Sequence, residues 1–186
     1  DVMTTETTCL SSIWETDDQV KHYYDVYGRP EAFKALKPGN VAYYDSMIHI
    51  ELDKMESMIA LPFHPSKAHT IHEFQKNAKA LLAEVEAEAA KKFPKAKTDL
   101  VSKVQPDGSV LADQGVIAGC AGGLFDNITE AADILKGGST GNGAFTLDVY
   151  PTSVPVSLEL TRDGVTADLL TTGAVIKPSF CGPCFG

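Results

Sequence analysis

The residue order predicts an α/β chain holding parts of two domains, with mixed and parallel sheets flanked by helices. Three observations predict it. Apolar runs too short for helices alternate with stretches of helical period. Glycines and prolines punctuate the joins. The last part reads strand, helix, strand, helix, strand, the order that builds a parallel layer.

Residues 1–10 have the Thr-rich, weakly alternating pattern of a strand leading into a loop. Thr16 or Asp17 is a suitable N-cap for a helix in which Val20, Tyr23, Tyr24 and Tyr27 recur at helical spacing, and Gly28 closes it. The three tyrosines read as core and interface packing. Residues 30–36 can form a further short helix, and 44–52 alternate enough to read as a strand. A Pro-bounded apolar stretch follows over 58–65. A long helix is expected over 71–93, with Phe74, Ala78, Leu81, Leu82 and Val85 on one face and a charged, solvated remainder over 84–92.

Residues 94–115 are rich in turns, and Pro106-Asp107-Gly108-Ser109 reads as a hairpin turn. Residues 115–119 form a short buried strand running straight into Cys120. A helix then starts at Asn127 and ends at Gly137-Gly138. The next strand spans 145–150, a helix with a weak point at Gly164 spans about 154–170, and a third strand over 173–176 delivers Cys181. In domain terms, 1–70 is the C-terminal part of one α/β domain and 71–105 a helical, turn-rich connection. Residues 106–186 are the first part of a second α/β domain, which carries three of the cysteines.

Composition narrows the class. Hydrophobic residues make up 44% and charged residues 22%, ordinary for an α/β protein. The net charge of -9 argues against a sequence-independent nucleic-acid binder. No apolar stretch approaches membrane-spanning length, and the start lacks a basic-then-apolar signal segment. The chain opens Asp1-Val2-Met3 and stops at Gly186 without a tail, so it reads as an internal fragment. Four cysteines are too few for a disulfide scaffold at this length, which points to a reducing compartment, the cytoplasm or the mitochondrial matrix.

The chemistry concentrates in Cys181-Gly182-Pro183-Cys184 and in Cys120. Cys120 and the Cys181/Cys184 pair each lie just beyond the C-terminal end of an expected strand, the edge where open parallel sheets gather ligands. Three thiols plus an open position suit a cluster that does chemistry; an electron-transfer cluster is normally closed by a fourth protein ligand. Cys9 is a possible fourth ligand, but a lone cysteine is more simply a small buried residue. The rival reading is a redox dithiol, since Cys-Gly-Pro-Cys is also the thioredoxin motif. That reading needs the first cysteine at a helix N-terminus and a helix and sheet following, which Phe185-Gly186 cannot build. Thioredoxin-like proteins also place the motif early, usually after Trp, and Phe180 stands there instead. A structural zinc site lacks finger-like spacing.

Three blocks of this chain resemble the aconitase family of iron-sulfur hydro-lyases. The most specific runs from Leu160-Thr161-Arg162-Asp163-Gly164-Val165 through Gly173-Ala174-Val175-Ile176 to Cys181-Gly182-Pro183-Cys184. The second joins Gly119-Cys120 to Asn127-Ile128-Thr129-Glu130-Ala131-Ala132. The third comprises Thr5-Glu6-Thr7-Thr8, Ser11-Ser12-Ile13-Trp14, Tyr44-Asp45-Ser46 to Glu51-Leu52, and Pro62-Phe63-His64-Pro65. The departure is Ala121-Gly122-Gly123, where aconitases proper have Thr-Asn-Ser. It suggests a divergent hydratase branch whose substrate need not be citrate.

The resemblance implies an aconitase-type three-layer α/β fold. It also implies a 4Fe-4S cluster held by Cys120, Cys181 and Cys184, with Glu6 close to the active site; a solvated strand-end acid is the plainer reading of Glu6. The implied reaction is dehydration and rehydration of a small hydroxy-carboxylic acid of citrate or isocitrate type. The serine base and substrate-binding arginines lie outside these residues, so the remaining domains of the same enzyme are the implied partners, and the fragment is inactive alone. Neither nucleic acid nor membrane is expected.

Two other groups have ligand-like composition. His64, His69, His72 and Glu73 are near one another in sequence, but loop and helix-cap chemistry explains them as well as a metal does. The glycine-rich 137–143 stretch lacks the Lys-Ser/Thr of a P-loop and follows a helix instead of opening one, so it reads as a connection. Three hypotheses remain: a cluster-dependent hydro-lyase, a thiol-redox protein using Cys181 and Cys184, and a noncatalytic interaction module with structural cysteines.

Overall fold

The structure, a computed structural model, describes residues 9–181. Almost all of the strand expected over 1–10, with Glu6, lies outside them, as does Cys184. Contacts divide the chain into two compact units, 1–50 and 51–186.

In the first unit, helix α1 spans Asp18–Val26. It starts where the sequence predicts, because the Asp17 carboxylate accepts from the Val20 N–H at 3.0 Å and satisfies an otherwise orphaned donor. Lys21 and Asp25 pair along its surface at 2.9 Å. Tyr23 meets Tyr24 edge-to-face and Tyr27 at a tilt, with ring centroids 5.8 and 4.6 Å away, but Tyr23 and Tyr27 are exposed and not core. The chain returns to the helix start, Leu36 N–H donating to Thr16 Oγ1 at 2.8 Å. The helix expected over 30–36 shrinks to one 3-10 turn, Pro30–Ala32. The strand expected over 44–52 does not form. Alternation makes a strand only where another strand can pair with it, and none among the described residues does; Met47 and Ile48 are each 86% exposed.

The second unit begins with an antiparallel hairpin of β1 (Met58–Ala60) and β2 (Ala68–Thr70), Ile59 facing His69. It runs directly into α2, Ile71–Lys92. Thr70 and Glu73 form a capping box: Thr70 Oγ1 accepts from Glu73 N–H at 3.1 Å, and the Glu73 carboxylate accepts from Thr70 N–H at 3.2 Å. Phe74, Ala78, Leu82 and Val85 bury one stripe against Leu61, Leu100, Val101, Val104 and Val110. The segment over 84–92 is less solvated than its charge predicts. Ala89 is buried, and Glu86 Oε1 accepts from the N–H groups of Leu100 and Val101 at 2.5 and 2.8 Å. The expected hairpin turn is present: Val104 faces Val110, and Gly108 N–H donates to Gln105 O at 3.0 Å.

The rest of this unit is a three-stranded parallel sheet, ordered β3 (Gln114–Ile117), β4 (Thr146–Val149), β5 (Val175–Ile176). Between β3 and β4 lie α3 (Gly119–Gly122) and α4 (Phe125–Leu135); between β4 and β5 lie α5 (Val154–Arg162) and α6 (Val165–Thr172). The helix expected over 154–170 is thus two, broken at Gly164. Ile128, Ala132, Leu147, Val149, Leu160, Leu169 and Ala174 form one core. Fully burying each large aliphatic among them contributes about 1.5–3 kcal/mol. β3 is half-exposed where a buried strand was expected, whereas β4 is buried at Leu147, Asp148 and Val149. Parallel and antiparallel pairing with packed helices makes the chain mixed α/β, as the sequence predicts. No helix among the described residues is long and apolar enough to cross a membrane.

Glu88 on α2 pairs with Lys92 at 2.8 Å and with Lys67, and both lysines also lie over the Phe63 ring. Hydrogen bonds from Lys67 and then Lys92 hold its carboxyl at about 2. Because that value is depressed, the stabilisation is complete above the ordinary value of 4.5 and is lost as pH falls toward about 2. Glu88→Gln is therefore expected to lower the midpoint of urea unfolding at pH 7 and to flatten its decline over that acid window. Parallel profiles for the two proteins would contradict the assignment.

Candidate functional site

The site begins with strand register. Ile117, Val149 and Ile176 are direct partners, so the three strands end level. Two backbone bonds extend the ladder past those ends, Tyr150 N–H to Ile117 O and Lys177 N–H to Val149 O, each 2.8 Å. On the other face of β4, buried Asp148 accepts from Gln114 Nε2 of β3 at 2.7 Å and faces Lys177 Nζ at 3.5 Å. Parallel neighbours are about 4.8 Å apart, which puts the two outer exits roughly 10 Å apart. Residues a few positions beyond the exits can span that gap.

They do so differently at each exit. After β3, Gly119 takes φ +86, a left-handed turn that a side chain would resist, and sends the chain into the short α3 that carries Cys120. After β4, fully buried Pro151 fixes the chain, and Thr152 N–H donates to Gly123 O at 2.8 Å. After β5, Lys177-Pro178-Ser179-Phe180 leads to Cys181. Gly119, Cys120, Thr152, Ser179, Phe180 and Cys181 line one open cavity of about 290 Å³. That is near the lower bound of small-molecule sites.

Cys120 and Cys181 are both free thiols and both exposed. They come from sequence positions far apart and share this cavity. Cys184 and Glu6 lie outside the described residues. Cys9 is exposed in the first unit, not buried as a lone cysteine would suggest. Among the described residues no three His, Cys, Asp or Glu converge on a metal position. His64 Nδ1 instead meets Ser66 Oγ at 2.7 Å in a turn, His69 belongs to β2, and Glu73 is spent on the α2 cap. The 137–143 stretch is a tied connection: Thr140 N–H donates to Thr172 O at 2.7 Å.

The donor set suits a thiophilic inorganic group. Two thiols face one cavity, and beside them Ser179 Oγ is buried without a hydrogen-bond partner. Soft thiolates suit Cu(I), Zn and iron-sulfur clusters. An iron-sulfur cluster is one of the groups that this pair of thiols is chemically suited to hold, two ligands being among the described residues. Thr152 and Ser179 belong to no motif that marks them in the sequence. The rule that ligands gather beyond the strand C-termini would have found both, since each follows an exit by a few residues.

Gly123 explains part of the unusual Ala121-Gly122-Gly123 run. A Cβ there would lie 2.5 Å from Tyr150 O, 2.7 Å from Gly119 O and 2.9 Å from Thr152 N. All three are backbone atoms of this rim, so Gly123 permits the β3 and β4 exits to close on each other.

A family model described as the aconitase family (aconitate hydratase) matches residues 1–186. The chain belongs to the aconitase family. It is 25% identical over 176 residues to the 2,3-dimethylmalate dehydratase large subunit of Eubacterium barkeri, covering 95% of this chain and 34% of that protein. It is 24% identical to the 3-isopropylmalate dehydratase large subunit of Clostridium beijerinckii, with the same coverage, 95% and 34%. It is 39% identical over 97 residues to that of Pyrococcus horikoshii, covering 52% of this chain and 24% of the relative. The chain thus spans about a third of the length of the first two relatives.

Gly123→Ala is expected to destabilise the protein by about 1–3 kcal/mol, the usual range for overpacking. It should also change the rate at which Cys120 reacts with an aromatic disulfide reagent under native conditions, with Cys181 as the internal reference. Unchanged stability and an unchanged Cys120 rate would contradict the role given to Gly123.

Proposed function

We propose that this chain is the cluster-holding part of a 4Fe-4S hydro-lyase, acting on a hydroxy-carboxylic acid. The observation that carries the reading is the pair Cys120 and Cys181 on one cavity at the C-terminal edge of a parallel sheet, in a chain of the aconitase family. Cys120, Cys181 and Cys184 are the proposed ligands, the third carried by resemblance alone. Glu6 is proposed, on the same ground, as an active-site acid. When bound, such a cluster supplies an iron with a vacant position that polarises the hydroxyl leaving the substrate.

The chain's own residues have separate tasks. Gly119 and Gly123 hold Cys120 at the rim through the backbone. The ladder bond at Lys177 fixes where the Cys181 loop departs. Phe180 adds an apolar wall to the cavity. The names of the dehydratase relatives support an alkyl-substituted malate as substrate over citrate or isocitrate. Those relatives are large subunits, which supports a further subunit or domain as partner. The exposed apolar residues Val41, Tyr43, Met47, Ile48 and Ile50 offer a surface for one. Free thiols at the cavity support a reducing compartment, cytoplasm or mitochondrial matrix.

Anaerobic reconstitution with ferrous iron and sulfide tests the reading. A broad visible absorption is expected, and Cys120→Ser should lose most of it. Absence of any such absorption in the unmodified chain would overturn the proposal. Reduction of insulin disulfides that survives Cys120→Ser would favour the dithiol reading instead.

A further inference from the structure

Ser179 presents an unexplained group at this cavity. Among the described residues, its Oγ is the one buried side-chain oxygen or nitrogen without a hydrogen-bond partner. A hydroxyl shielded from water and left unpaired is destabilising, so such groups call for an explanation. The surroundings offer the hydroxyl no relief. Ser179 lines the cavity together with Cys120, Thr152 and Cys181, yet its hydroxyl bonds to none of them. Nor can the loop easily turn it away. Lys177 is held to Val149 O at 2.8 Å, and Pro178 stiffens the next step.

What the hydroxyl can donate to is set by what the neighbouring thiols can hold. A hydroxyl gives one hydrogen bond, and the bridging sulfides of an iron-sulfur cluster are acceptors only. We propose that Ser179 donates a hydrogen bond to a sulfide of the cluster held by Cys120 and Cys181, and so raises the reduction potential of that cluster. This rests on the function proposed above. The physical effect is charge compensation: a donor aimed at a cluster sulfur stabilises the more negative, reduced state. The reaction itself transfers no electron, so the potential serves as a reporter of the contact.

The test uses the full chain, reconstituted anaerobically with iron and sulfide, and the variants Ser179→Ala and Ser179→Thr. Redox titration followed by electron paramagnetic resonance should give a more negative midpoint for Ser179→Ala than for the unmodified chain. Ser179→Thr keeps the hydroxyl and should restore most of the difference. Coincident midpoints for the unmodified chain and Ser179→Ala would overturn the inference while leaving the cluster reading intact. Failure of the unmodified chain to assemble a cluster overturns both. A second measurement needs no cluster. In the metal-free chain, Ser179→Ala removes a hydroxyl that has no partner, so its melting temperature should equal or exceed that of the unmodified chain. A lower value would show that the hydroxyl already has a partner, and would also overturn the inference.

Discussion

Three parallel strands that stop at the same level govern everything built at this edge. Their alignment is fixed from both faces. On one, Leu147 and Val149 sink into the core with Ile128, Leu160 and Leu169. On the other, the Asp148 carboxylate is shared between Gln114 of the first strand and Lys177, the residue that leaves the third. A buried carboxylate is tolerated because Gln114 and the partly exposed Lys177 partner it. The pairing joins all three strands at the point where the Cys181 loop begins. A slip of one residue would turn the apolar face outward, so burial and charge select the same register.

That alignment converts sequence distance into proximity. Cys120 and Cys181 are separated by two helical crossovers, yet each is only a short loop beyond a strand end. The intervening helices supply the apolar burial that holds the sheet, and the loops supply the chemistry. Such a division suits an edge that must present exposed thiols, since side chains free to react cannot also be core. Gly123 marks where the two requirements meet, with the β4 exit and the Cys120 turn in backbone contact.

Much of this was legible in the residues. Asp17 as a cap, the 106–109 turn, the break at Gly164 and the alternation of strands with helices all follow from local chemistry, which acts within a few residues. The two thiols at the strand ends were legible from the rule for open sheets. What was not legible depended on neighbours distant in sequence. Residues 44–52 alternate like a strand, but alternation says nothing about whether a partner strand lies alongside. Glu86 and Glu88 read as solvated charges, yet one caps the backbone at 100–101 and the other joins two lysines beside Phe63. Ser179 and Thr152 carry no motif of their own; only the convergence of three loops gives them a place.

The central claim is spatial: thiols distant along the chain meet at one rim. The most direct measurement is intramolecular cross-linking of a Cys9→Ser, Cys184→Ser double variant with a short, rigid thiol-reactive bridge, read by peptide mass spectrometry under native and denaturing conditions. The account predicts a bridged pair of peptides containing Cys120 and Cys181 from the native protein, and its loss on denaturation. Single-ended adducts at both cysteines, with no bridge in the native protein, would contradict it.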